Sequence, residues 1–394
     1  MNSTKLNDCT ITQHNSGIDI GWPDGVSGFF HYVWLRDCCY CKSCGDSYSS
    51  NRYLHPNEVP LDIKPAQLEI SKSNALIIVW ENDHHKSVYD TQWLRQYGYS
   101  DNFRTLRFHQ PKLWDAKING TIPNVEYTES VHCDHTRLEL LRHLRDYGFV
   151  VVKRGPPNEK GIEAVAGLIG QIAESAYGKF FDLSPKSTHK TAGNTMFPVP
   201  PHTDEAYRGN PPGINILHCI HPAQSGGESI LVDGFNLGEI LRYSDPDKFE
   251  LLVKQPQSYH RVVHHSNIDQ RARGPVFTLD ENGTIVGFRF HPRSAAPLDV
   301  PSDLFLSVYA ANRRLCELMF DGRHQARFKL EAGEAVLFDN HRVMHARAGF
   351  DDENRKLRIC SVSREQFHEQ LRMLAFKLGY VEESQMILSA GVSG

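Results

Sequence analysis

Apolar positions recur along this chain with two periods, and the change from one to the other divides it. Gly17-Ile18-Asp19-Ile20-Gly21-Trp22, Phe29-Phe30-His31-Tyr32-Val33-Trp34-Leu35 and Ala75-Leu76-Ile77-Ile78-Val79-Trp80 are short apolar runs separated by turn formers such as Pro23-Asp24-Gly25. Runs of that length with that punctuation predict strands. From Thr136 to Tyr147 the spacing becomes helical, with Leu138, Leu141 and Leu144 on one face and Gly148 as the stop. Phe149-Val150-Val151-Val152 then predicts a strand, and Ile162, Val165, Leu168, Ile169 and Ile172 a second helix. A third helix is predicted over about Ser302 to Met319, and a fourth carries Phe367, Leu371, Leu374 and Leu378. Residues 113–130 have weak periodicity and many turn formers, so they read as a linker between domains at 1–112 and 131–394.

Composition narrows the class. With 394 residues, 40% hydrophobic and 23% charged, the chain can bury ample core in two domains. A net charge of −4, with no basic run, argues against nucleic acid as partner. No apolar stretch approaches the ~20 residues that span a membrane, and the first residues lack the apolar core of a signal peptide, so a cytoplasmic location is expected. Nine cysteines is an odd number, and Cys38, Cys39, Cys41 and Cys44 crowd together, which reads as metal binding rather than a disulfide framework.

The chemistry concentrates at His202-Thr203-Asp204. Side chains two apart in an extended segment point the same way, so His202 and Asp204 can share a metal. His345, far along the chain, is the candidate third ligand. Two imidazoles and one carboxylate leave coordination positions open, the arrangement that suits Fe(II) with a co-substrate and O2. Pro211-Pro212-Gly213-Ile214-Asn215-Ile216, Gly226-Gly227-Glu228-Ser229 and Gly333-Glu334-Ala335-Val336-Leu337-Phe338-Asp339 follow in order, and Arg355-Lys356-Leu357-Arg358 stands ten residues beyond His345.

With these motifs the chain resembles the Fe(II)/2-oxoglutarate dioxygenases, specifically the γ-butyrobetaine and trimethyllysine hydroxylase family, from about Ile18 to Leu374. The resemblance implies a double-stranded β-helix (jelly-roll) catalytic domain with flanking helices, mostly β within an α+β class, plus a small N-terminal zinc-binding β domain. It implies Fe(II), 2-oxoglutarate and O2, a structural zinc, ascorbate as stimulant, a small-molecule substrate and a homodimer. The expected reaction is hydroxylation of an unactivated C–H bond with release of succinate and CO2. The far carboxylate of 2-oxoglutarate needs a cation, and a guanidinium can pair with it bidentately. Arg355 matches the family position; Arg358 is the competitor, although an odd separation turns it to the other face of a strand. Ser229 sits where related oxygenases place a hydroxyl for the same carboxylate.

The family's zinc site matches Cys39, Cys41, Cys44 and His85. Cys38 competes with Cys39, and His84 with His85, because Cys38 replaces a usual Asn and one residue is inserted after Trp80. Four protein ligands would close a tetrahedron and leave no place for chemistry.

The substrate pocket departs from the family. Members acting on trimethylammonium groups use an aromatic cage, whose ring faces attract a cation. Tyr177 and Phe181 match two cage positions, the second as Phe for Trp. A usual Tyr falls near Gly193-Asn194, Glu205 follows the triad Asp, and the Asn pair for a substrate carboxylate reads His291-Pro292, followed by Arg293. Tyr207 and Arg208 offer other contacts. The candidate substrate residues are therefore Tyr177, Phe181, Asn194, Glu205, Tyr207, His291 and Arg293. Glu205 can accept from an N–H, which a quaternary nitrogen lacks, so the expected substrate is a small amine-bearing acid, with γ-butyrobetaine itself as the alternative. Two other classes compete: a non-catalytic metal-binding interaction protein, and a hydrolytic or isomerising metalloenzyme on the same ligands.

Overall fold

A computed structural model describes residues 9–387 apart from 47, 106, 176, 177, 189, 190, 265 and 266. The described parts fall into two compact units, 9–109 with Gln385–Ile387, and Gln110–Ser384.

The first unit holds two three-stranded antiparallel sheets. One pairs Thr10–Gln13, Gly17–Gly21 and Ser27–His31; the other pairs Pro65–Ile70, Ala75–Trp80 and Lys86–Asp90. Their inward residues, among them Ile18, Ile20, Phe30, Leu76, Ile78 and Trp80, form one core. The second predicted strand is shorter than expected. It ends at His31, and Tyr32–Asp37 is helical. A continuous apolar run cannot be assigned to strand or buried helix by period alone.

The second unit is built on two sheets. A six-stranded sheet runs, in spatial order, Phe181–Leu183, Lys356–Val362, Ile214–His221, Ala335–Asp339, Phe149–Lys153 and Asn124–Glu126. A four-stranded sheet runs Val199–His202, Val343–Arg347, Ser229–Asp233 and Gln325–Phe328. Alternation decides what each face meets. Phe149, Val151, Leu217, Val336 and Phe338 point between the sheets and pack with Leu231, Ala326 and Val343 of the smaller one. Val150, Val152, Ile214, Ile216 and Leu337 point the other way, under the helices Asp134–Tyr147 and Arg364–Lys377. This is the double-stranded β-helix with flanking helices.

Two further expectations need correction. Residues 113–130 are not a linker: Trp114 and Ile118 are buried in the intersheet core, and Asn124–Glu126 pairs in parallel with Phe149–Lys153. Trp114 N also donates to Asp233, whose carboxylate is locked by Arg342 in a fully buried pair at 2.9 Å. A three-residue strand and a 3-10 turn are too short to show a period. The second helix covers only Gly161–Ala166, because Gly167 and Gly170 end it and Ile172 bridges to Val362. Two helices without a sequence expectation, Gly234–Ser244 and Pro246–Lys254, pack with the third, Phe305–Phe320, on the outside of the four-stranded sheet. The insertion that carries them also supplies the hairpin Gln257–Val263 with Ile268–Gly274 and the turn His291–Ser294.

Candidate active site

Strand register brings the two distant histidines together. Val199–His202 and Val343–Arg347 are antiparallel neighbours in which His202 lies directly opposite His345. Asp204 follows two residues beyond the strand end, while Thr203 between them turns away and accepts from Phe290 N. The donor atoms of His202, Asp204 and His345 all lie within 4.8 Å of one another. Asp204 is 3.4 Å from His202 Nε2 and 3.7 Å from His345 Nε2.

The surroundings prepare these atoms for a cation. His202 Nδ1 donates to Pro200 O at 2.9 Å, which leaves the Nε2 lone pair facing the cluster. His345 Nδ1 is buried without a partner among the described residues. Burial pushes His345 down to about 4, so the imidazole is neutral and able to ligate at neutral pH. For Asp204, burial alone would raise the carboxyl, but His345 and then His202 outweigh it and hold the group well below the usual carboxylate range. Asn215 Nδ2 donates to the Asp204 carboxylate at 2.9 Å, and Asn340 bonds both the N–H and the C=O of Asp204. Sequence reasoning missed both asparagines. The available signal was Asn215 itself, a polar residue inside the wholly apolar run Ile214-Asn215-Ile216-Leu217.

A cavity of about 340 Å³ opens from the triad. Arg355 lines it, buried, with its guanidinium over the Phe350 ring and no hydrogen bond or ion pair to any described residue. Burial pushes Arg355 down to about 10, still a cation. Ser229 is buried beside it and shares a smaller cleft with Arg355 and Gly227. Gly227, at φ +74°, has to lack a side chain, since a Cβ there would stand 3.1 Å from Arg355 Nε. Arg358 does not share this cavity. It faces the opposite side of its strand and pairs with Asp182 at 2.5 Å and with Glu159. The competitor for the co-substrate is thus committed elsewhere.

The substrate candidates divide. Phe181, Glu205, Tyr207, His291 and Arg293 line the cavity. Asn194 does not: its Oδ1 accepts from Ser184 N at 3.0 Å, so its side chain closes a loop. Tyr177 lies outside the described residues. Glu205 is paired with Arg208 at 2.7 Å, which takes up much of the acceptor capacity expected for a substrate N–H. It holds a left-handed backbone, φ 50°, uncommon without glycine and found where surrounding structure enforces it. Arg347, also in the wall, donates to the carbonyls of Gly193, Thr195 and Phe197 and straps that loop to the His345 strand.

The second cluster, in the first unit, joins Cys39, Cys41, Cys44 and His85. His85 Nε2 stands 3.4, 3.5 and 3.5 Å from the three sulfurs. Zinc bonds of about 2.3 Å to sulfur and about 2.0 Å to nitrogen set a tetrahedral S···N edge of about 3.5 Å, so the residues fit that metal. Cys38 caps the helix Tyr32–Asp37 outside the cluster, and His84 is exposed at a left-handed turn. The geometry resolves both ambiguities for Cys39 and His85. Arg36 Nη1 also donates to Cys44 Sγ at 3.3 Å.

Comparison with known proteins places the chain in a family. Residues 110–361 match the model of the taurine catabolism dioxygenase TauD, TfdA family, and residues 9–95 match the gamma-butyrobetaine hydroxylase-like N-terminal model. A gamma-butyrobetaine dioxygenase of Pseudomonas sp. (strain AK-1) is 32% identical over 91% of this chain and 94% of its own. The mitochondrial trimethyllysine dioxygenase of Homo sapiens is 28% identical over 94% and 88%. Among solved structures, a taurine dioxygenase from Burkholderia xenovorans overlaps 65% of this chain and 90% of its own, at TM-score 0.44 and 17% identity. The chain belongs to the TauD, TfdA family of Fe(II)- and 2-oxoglutarate-dependent dioxygenases, in its gamma-butyrobetaine and trimethyllysine dioxygenase branch.

Proposed function

We propose that His202, Asp204 and His345 hold Fe(II), that Arg355 and Ser229 take the far carboxylate of 2-oxoglutarate, and that the protein hydroxylates a small amine-bearing acid. The observation that carries this reading is a buried, unpaired guanidinium in the same cavity as an open two-imidazole, one-carboxylate cluster. A scaffold protein has no use for such a cation, and dependence on 2-oxoglutarate separates this reading from a hydrolase on the same ligands. When bound, iron with 2-oxoglutarate and O2 supplies the C–H oxidation that no side chain can perform.

The residues' own work is positioning. Pro200 O orients the His202 ring, Asn215 and Asn340 fix Asp204, and Gly227 leaves room for the Arg355 side chain. The intersheet core keeps water from the far side of the metal ligands. No protein acid or base is required for hydrogen abstraction from carbon, and the cluster offers none beyond its ligands.

A second reading, hydroxylation of γ-butyrobetaine itself, is favoured by the Pseudomonas relative and by Phe180, Phe181 and Tyr207 in the cavity wall. Incubation with Fe(II), ascorbate and 2-oxoglutarate tests the proposal: succinate should form, and His202→Ala should abolish it. Equal turnover by that variant would refute the triad. A homodimer, measured by sedimentation, and a cytoplasmic location, measured by fractionation, belong to the same proposal.

A further inference from the structure

The cavity wall carries six Lys and Arg side chains against two carboxylates, Asp204 and Glu205. Four of the cations are accounted for. Arg208 pairs with Glu205, Arg347 holds backbone carbonyls, Arg355 serves the co-substrate under the reading above, and Lys179 is exposed. Arg261 and Arg293 remain, neither with a carboxylate partner among the described residues.

These two are brought together by the chain. Alternation along Gln257–Val263 puts Gln257 and Tyr259 inward and His260 outward, so Arg261 falls on the inner face. Tyr259 forms an antiparallel bridge with Ala295, and Ala296 N donates to Ser258 O at 2.8 Å. The strand that carries Arg261 is thereby docked beside the turn that carries Arg293, and both side chains line the same cavity. Two guanidinium groups in one cavity wall disfavour each other's charge unless an anion lies between them. Arg293 Nη2 also stands 3.2 Å from His202 Nε2, which places it beside the metal ligands.

Resting on the oxygenase reading, we propose that Arg261 and Arg293 jointly receive an oxyanion head group of the substrate, so the molecule oxidised is an acid held by its charged end against the hairpin's inner face. The bidentate fork of each guanidinium suits carboxylate, sulfonate or phosphonate oxygens.

The test is calorimetric titration, without O2, of protein loaded with Mn(II) and 2-oxoglutarate. The probes are three- and four-carbon amines, with free and trimethylated nitrogen, ending in carboxylate, sulfonate, phosphonate or hydroxyl. At least one acid series should bind about tenfold or more tighter than its alcohol, the scale of one charged hydrogen bond. Arg261→Gln and Arg293→Gln should each erase that margin, and Arg261→Lys should restore part of it. Arg271→Gln, on the same hairpin but paired with Asp269 at the surface, should leave it intact. The ranking among the three acids identifies the head group. An equal loss for acids and alcohols, an Arg261→Gln variant that binds acids normally, or wild type that binds none of the acids would overturn the proposal. The heat of 2-oxoglutarate binding itself, and its loss in Arg355→Ala, judges the co-substrate reading separately.

Discussion

The two metal-binding clusters of this chain use overlapping chemistry to opposite ends. In the first unit, three sulfurs and His85 Nε2 surround one point at the spacing of a closed tetrahedron, with Cys39 and Cys44 buried. In the second, two imidazoles and a carboxylate occupy one side of a point and a cavity occupies the other. The first has no position left for a reactant, so its metal can only hold the chain together. The second is supported from behind by Pro200, Asn215 and Asn340 and open in front. Ligand number, more than ligand type, separates a staple from a reaction centre.

The largest effect expected is on the staple. Structural zinc contributes apparent binding energies of about 10–16 kcal/mol at pH 7, and the first unit has a modest core around two small sheets. Cys41→Ser should therefore remove zinc and unfold that unit, read as loss of its melting transition and of one zinc per chain. Mild chelation of the wild type should strip iron and leave this zinc in place. Zinc retained at full stoichiometry in Cys41→Ser would break the comparison.

Next comes the reaction centre. Asp204→Ala should lose succinate formation by more than the ~10–100-fold typical of an outer-shell change, while the melting temperature of the first unit stays put. Asn215→Ala, which removes the hydrogen bond to Asp204, should fall inside that ~10–100-fold range in iron affinity. A succinate assay and a calorimetric iron titration, each run on both variants, measure these effects. If the two variants were equally impaired, the distinction between ligand and support would fail.

How much of this was legible depended on how local the cause was. His202, Asp204 and His345 could be named from spacing and motif order, although their meeting depends on a register that pairs residues 143 positions apart only in the folded sheet. The Cys-x-Cys-x-x-Cys motif was visible, yet choosing Cys39 over Cys38 needed the point where the helix Tyr32–Asp37 ends. Choosing His85 over His84 needed the left-handed turn at His84. Asn194 was misplaced because matching positions says nothing of where an amide turns; here it turns to Ser184 N. Arg261 was overlooked because its hairpin lies in an insertion with no motif. Its parity with the buried Tyr259 is a signal the sequence contains, but only once Tyr259 is known to face inward.

The smallest effect sharpens the contrast between Arg355, just before the strand Lys356–Val362, and Arg358 within it. Arg355→Ala should raise the KM for 2-oxoglutarate by about 10–100-fold, the scale of charged hydrogen bonds worth ~1.5–3 kcal/mol. Arg358→Gln should leave that KM unchanged, because its guanidinium is spent on Asp182 and Glu159. Its cost falls on stability and is about 1 kcal/mol or less, as for partly exposed pairs. The pH dependence has a definite sign. The hydrogen bond from Arg358, then the charges of Arg358 and Lys356, outweigh burial and hold Asp182 below the usual carboxylate range. A carboxyl lowered in the folded state adds stability above its unfolded pKa, about 3.9 for Asp, and loses it as pH falls through the folded value. Melting curves between pH 7 and pH 3 should therefore converge for wild type and Arg358→Gln at the acid end and differ at neutrality. A rise in the 2-oxoglutarate KM of Arg358→Gln as large as that of Arg355→Ala would show that the two faces of the strand had been assigned the wrong way round.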